Sequence, residues 1–213
     1  MNFLINIYLY PIFLGVKYKN YYFYTMRTIN LHMIMLGCTP KGRFTEQHDI
    51  FFGIGTGLKD LVPDMNAFWP EANGRIHIDA WQKITTVDGF SIEVVSKETP
   101  LTQEEEQLFF LNLGGYKEGE FEEYHYKVIV VAKTKAEAIK KAKQTTFYKH
   151  FGFKGAESHI DDKYGIDVDD IHNIEDILSD KFKLQYRLKI TKTNVTSEDE
   201  KHIGYLKIDK ISE

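Results

Sequence analysis

Residues 31–54, LHMIMLGCTPKGRFTEQHDIFFGI, return in altered form at residues 108–131, LFFLNLGGYKEGEFEEYHYKVIVV. Laid over each other without a gap, the two segments pair Leu31 with Leu108, Leu36 with Leu113, Gly37 with Gly114 and Gly42 with Gly119. Phe44 then falls on Phe121, Glu46 on Glu123 and His48 on His125. Chance would supply roughly one identity in such a window, so internal repetition decides the fold. Each copy reads as an apolar run, a turn-forming loop and a second apolar run, the pattern of a strand hairpin with a long connection.

Downstream of the first copy, Leu58, Leu61, Val62, Met65 and Trp69 recur at helical spacing. Pro63 interrupts them, which predicts a helix that starts near Leu61 or one that is kinked. Residues 75–84 and 90–95 alternate as two further strands around a turn at Val87, Asp88 and Gly89. After the second copy, Thr134 and Glu137 form a capping box that opens a helix whose inward face carries Ala138, Ile139 and Ala142. Residues 182–190 read as a strand and residues 203–208 as an edge strand. The expected fold is α+β: a tandem duplication of a β-β-α-β-β unit, with helices packed on mainly antiparallel sheets.

The expected organisation is a first repeat over 26–96, an acidic linker over 97–107, a second repeat over 108–192 and a C-terminal tail over 193–213. Residues 1–25 contain no Asp or Glu and are dominated by Asn, Phe, Ile, Tyr, Leu and Lys. They lack a secretory signal's basic start and cleavage site, and their apolar run is too short for a membrane span. They are read as a non-native or disordered extension, with translation beginning at Met26. The net charge of −4 gives no whole-chain argument for nucleic acid or an anionic membrane, and neither is expected as a partner. Cys38 is the single cysteine, which excludes an intrachain disulfide and makes a reducing cytoplasm the expected compartment.

The pieces LGCTPKGRFTEQHDIFFGIG, LFFLNLGGYKEGEFEEYHY, AKQTTFYKHFGF and SHIDDKYGIDVDDI resemble the family of domain of unknown function 1543, over about residues 31–190. The resemblance implies a domain that occurs in one or two copies, here two, and it implies no chemistry.

Two constellations could carry function. Glu46 and His48 lie two apart, as do His77 and Asp79, so each pair projects from one face of a strand. If the strands are neighbours, the four converge as donors for a divalent metal or as an acid/base set. The second copy offers Glu123, His125, His159 and Asp161 in the same order. The competing reading is that these groups hold the unit together by satisfying loop carbonyls and turns. The second constellation is the glycine run Gly53, Gly55 and Gly57 between a strand and a helix, where backbone N–H groups could receive an anion with Lys41 and Arg43 nearby. Plain turn glycines are the alternative. Leu58 stands where a dinucleotide fingerprint requires its third glycine.

Weaker signals are Cys38 as a nucleophile, the lysines over 133–149 as an RNA-binding face, and the acidic run over 159–170, whose spacing is not that of an EF-hand. The expected function is a non-catalytic module that binds a small ligand or a protein, with homo-oligomerisation open. The alternative is a metal-dependent or acid/base enzyme that uses Glu46, His48, His77 and Asp79.

Overall fold

The computed structural model describes residues 28–101, 106–116, 119–144, 166–195 and 197–211. Its first half runs β1 (Asn30–Cys38), β2 (Gln47–Gly55), α1 (Leu58–Phe68), β3 (His77–Ile84), β4 (Thr86–Val87) and β5 (Phe90–Ser96). Its second half runs β6 (Gln107–Tyr116), β7 (Glu123–Ala132), α2 (Lys135–Ala142), β8 (Ile166–Asn173), α3 (Ile174–Ile177), α4 (Asp180–Gln185), β9 (Tyr186–Lys192) and β10 (His202–Lys207). Every strand pair is antiparallel. The fold is α+β and repeats a β-β-α-β-β-like pattern, as expected.

The repetition extends to the register. In the first sheet, ordered β10-β3-β1-β2, the central strand β1 places Gly37 opposite His48 on one side and opposite His77 on the other. In the second sheet, ordered β7-β6-β8, the central strand β6 places Gly114 opposite His125 and opposite Asp167. Each sheet has a bulge at the same point of its third strand. Asp79 is the extra residue between Ile78 and Ala80, and Asp169 is the extra residue between Val168 and Asp170. The unit ends β5 and β9 pair with each other in a small linking sheet, with Glu93 opposite Lys189 near its middle and 3.0 Å from it.

Alternation of side chains gives each central strand two faces to bury. Ile34 and Leu36 lie with Leu61 and Met65 of α1 in the core, and Phe109, Leu111 and Leu113 lie with Ala138 and Ala142 of α2. On the remaining faces Phe52 meets Phe110 edge to face, ring centroids 5.4 Å apart. The layers therefore run helix, sheet, sheet, helix. The turn at Asp88 and Gly89, both at positive φ, joins β4 to β5 in the manner of a two-residue hairpin, and Asp88 Oδ2 accepts from the Val131 N–H of β7.

Two expectations needed revision. α1 starts at Leu58 and holds Pro63 in its second turn, because the burial of Leu58, Leu61 and Met65 offsets the hydrogen bond that the proline cannot donate. Residues 182–190 are not one strand. Phe182 is buried on α4 while Leu184 is exposed, and β9 begins only at Tyr186, so a period of two over so short a stretch had mimicked a strand.

Candidate metal centre

Gly37 is the empty place around which the first cluster is built. His48 and His77 flank it on the two neighbouring strands, and the bulge turns Asp79 towards it. A Cβ at Gly37 would run into both Asp79 Oδ2 and His77 Nε2, so only glycine leaves room for the cluster. His48 Nε2 and His77 Nε2 each lie 3.3 Å from the same oxygen, Asp79 Oδ2. Glu46, just before β2, completes the set: its Oε1 lies 3.0 Å from His77 Nε2 and its Oε2 3.7 Å from His48 Nε2. The four residues expected from the sequence are brought together.

These separations are short, yet the geometry is not that of satisfied hydrogen bonds. Among the described residues, His77 Nε2 and Asp79 Oδ2 are buried and have no hydrogen-bond partner of acceptable geometry. Leaving one such atom unpaired costs about 1–3 kcal/mol, which a ligand at their common point would relieve. The side chain of His77 is 10% exposed and that of Glu46 is 44% exposed, so the cluster has a buried floor and an open mouth. Tyr205 of β10 lies over the His77 ring, centroids 4.4 Å apart.

The second unit repeats the arrangement with other residues. His125 Nε2 lies 3.4 Å from Asp169 Oδ2 and 3.9 Å from Glu123 Oε2. Glu123, His125 and Asp169 each offer one donor atom within 4.8 Å of the others, a triad capable of coordinating a divalent metal ion. A Cβ at Gly114 would run into the Asp169 carboxylate, as one at Gly37 would into Asp79. His159 and Asp161, the second-copy partners expected from the sequence, lie outside the described residues. The register positions of His77 and Asp79 are taken in β8 by Asp167 and Asp169. The signal that pointed to them was the triplet Asp167-Val168-Asp169, which keeps the apolar centre and second acid of His77-Ile78-Asp79 but not its histidine.

The glycine run is arranged differently from the anion loop that the sequence suggested. Gly53 makes room for the Phe51 ring and for α1, since a Cβ there would lie 2.7 Å from Phe51 Cε1 and 2.9 Å from Leu61 Cδ2, and a Cβ at Gly55 would lie 3.2 Å from Leu61 Cδ2. Gly57 is the N-cap of α1, and beside it Asp60 already accepts from Thr56, at 3.1 Å from its N–H and 2.5 Å from its hydroxyl. Lys41 and Arg43 sit in the β1–β2 loop, at the other end of β2, about 26 Å away along the strand. Cys38 is buried, which pushes its thiol up and leaves it a poor nucleophile.

Between the two sheets runs a cleft of about 600 Å³. Met33, Met35 and Ile50 form one wall and Lys127 and Ile129 the other, with His125 of the second triad at its edge. Burial pushes the Lys127 ammonium below the usual lysine range, with Asp49 opposing the shift.

With that geometry in place, comparison with known proteins adds a family match over part of the chain and a similar fold. Residues 43–94 match the model of the Domain of Unknown Function DUF1543. The matched segment contains Glu46, His48, His77 and Asp79, and the duplicated sheet topology extends well beyond it. The chain is also similar in structure to a protein Il1583 from Idiomarina loihiensis, seen in a crystal structure, at 20% identity and a TM-score of 0.58. That similarity covers 85% of this chain and 99% of the other, and it speaks for the fold alone. No curated protein matches the sequence. Among the described residues no helix is long and apolar enough to cross a membrane.

Proposed function

We propose that this chain is a metal-dependent enzyme whose divalent ion is held by His48, His77 and Asp79, with Glu46 at the mouth of the site. The observation that carries the reading is the pair of buried atoms His77 Nε2 and Asp79 Oδ2, which face a glycine-made space without hydrogen bonds. Two imidazoles and one carboxylate that leave coordination positions open suit zinc, manganese or non-haem iron. A bound ion supplies Lewis acidity and lowers the pKa of a coordinated water. Glu46 lies on a loop end within reach of both histidines, and its carboxylate would be placed to act as a general base beside a bound ion. We read the chain further as two copies of the matched domain, the second with altered donors.

Elemental analysis of the untagged full chain tests this. At least one zinc, manganese or iron per chain is expected, and His48→Gln and Asp79→Asn should each lower the content by one ion while circular dichroism stays unchanged. A folded protein that takes up none of these ions on reconstitution overturns it.

The inter-sheet cleft favours a second reading, a non-catalytic module for a small ligand with an apolar body. That reading predicts ligand binding that is indifferent to His48→Gln.

A further inference from the structure

We propose that the second unit holds a divalent cation of its own at Glu123, His125 and Asp169, and that this site favours a harder, more oxygen-loving ion than the first. The site is made of second-unit residues alone, so cation binding there stands or falls separately from the enzyme reading.

Three observations support it. The first is that the backbone devices that build the first cluster are all present again: a central glycine, a histidine opposite it on the hairpin partner, and a bulged aspartate turned over the glycine. A bulge and an obligatory glycine both weaken a strand, so their joint repetition at the same register is poorly explained by packing. Next, the donors come from two different strands, Glu123 and His125 from β7 and Asp169 from β8, and lie within 4.8 Å of one another. Finally, Tyr116 stands directly opposite Glu123 across the hairpin and on the same face of the sheet, a neighbour that a metal-binding carboxylate can use as outer support. The first unit has Thr39 at the corresponding place.

The class of ion follows from the donors. The first cluster brings two imidazoles and two carboxylates, the second one imidazole and two carboxylates, with aspartate at the register position of the second histidine. Zinc binds nitrogen-rich sites well, whereas manganese and magnesium prefer oxygen donors, and losing an imidazole narrows the lead that zinc holds over manganese at most sites. With zinc limiting and manganese in excess, zinc should settle in the first unit and manganese in the second.

The test is to load the metal-free full chain with one equivalent of Zn2+ and titrate Mn2+, following the loss of the free-ion signal by electron paramagnetic resonance. Uptake of one Mn2+ per chain is expected. Asp169→Asn and Glu123→Gln, both partly exposed and near-isosteric, should weaken it at least roughly tenfold and leave the zinc in place. His48→Gln should release zinc and keep manganese. Mn2+ that stays in solution, or that binds equally well to Asp169→Asn and Glu123→Gln, overturns the proposal. A chain that takes up manganese at the second site but no zinc, manganese or iron at the first supports binding in the second unit, and refutes the enzyme reading instead.

Discussion

The two units fill the space between helix and sheet in opposite ways. In the first, the strand is pared down to Gly53 and Gly55 and the helix brings Leu61 and Met65. In the second, the same strand positions carry Val130 and Ala132 and the same helix positions carry Ala138 and Ala142. Volume has moved from the helix to the strand while the architecture stayed. This explains a glycine run that suggests an anion loop from the sequence: its glycines are half of a packing exchange, legible only once the helix partner is known.

The largest effect should come from disturbing one side of that exchange. Leu61→Ala should cost about 3–5 kcal/mol in urea unfolding, since a fully buried leucine leaves a cavity that a glycine strand cannot fill. Adding Gly53→Val to it carries the first unit towards the second unit's solution and should restore a measurable part of that loss. Double-mutant additivity would show that the exchange is not a coupled one.

A smaller contrast is expected at the two empty places. Gly37→Ala drives a methyl into His77 and Asp79, which are buried or nearly so, and should cost about 2–3 kcal/mol together with any metal bound there. Among the described residues Gly114→Ala meets the more exposed Asp169 carboxylate, so a smaller loss of about 1 kcal/mol is expected. Equal losses would mean that the two clusters are equally enclosed.

His32 offers a contrast in pH. It is fully buried, with Nδ1 3.1 Å from the Asn30 carbonyl, and the second unit has Phe109 at its place. Burial holds the imidazole below its ordinary value of 6.5, so the unfolded chain takes up the proton first as the pH falls. The stability present above pH 6.5 is therefore lost between that value and the lower folded one. His32→Phe should flatten this part of the stability profile, as measured by urea midpoints between pH 7 and pH 5. An unchanged slope would assign it to other groups.

The smallest contrast lies at the helix starts. Thr134 caps α2 by accepting from the Glu137 N–H, whereas Gly57 begins α1 without a side-chain cap. The extended backbone at Gly57, with open space where a Cβ would stand, admits Thr or Ser. Gly57→Ser should raise the melting temperature by an amount equivalent to a few tenths of a kcal/mol, and Thr134→Ala should lower it by about 1 kcal/mol.

Much of this was readable before any coordinates. The gapless match between residues 31–54 and 108–131 is the structural equivalence itself, pair for pair in the two hairpins, and the spacing of Glu46, His48, His77 and Asp79 did foretell their meeting. The third strand of the second unit was harder to place. Identity pointed to His159-Ile160-Asp161, while the register belongs to Asp167-Val168-Asp169, because backbone pairing and a bulge are maintained by shape and tolerate a change of side chain. Nothing in a linear pattern announces that a glycine is kept to leave room for side chains of a neighbouring strand. The coverage of His77 by Tyr205 was equally hidden, since β10 comes from the far end of the chain to join β3.

The pairing of β5 with β9 has a consequence for how such a chain could arise. These strands occupy equivalent positions in the two units and run antiparallel to each other, which is what rotation about a local twofold axis produces. A chain with a single unit would leave this strand as a bare edge, and the simplest way to cover it is the same strand of another molecule. The duplicated chain carries that symmetric partner covalently, so its two halves are freed from having to remain identical. One half could then keep both histidines while the other drifted to aspartate, a divergence closed to a homodimer encoded by one gene.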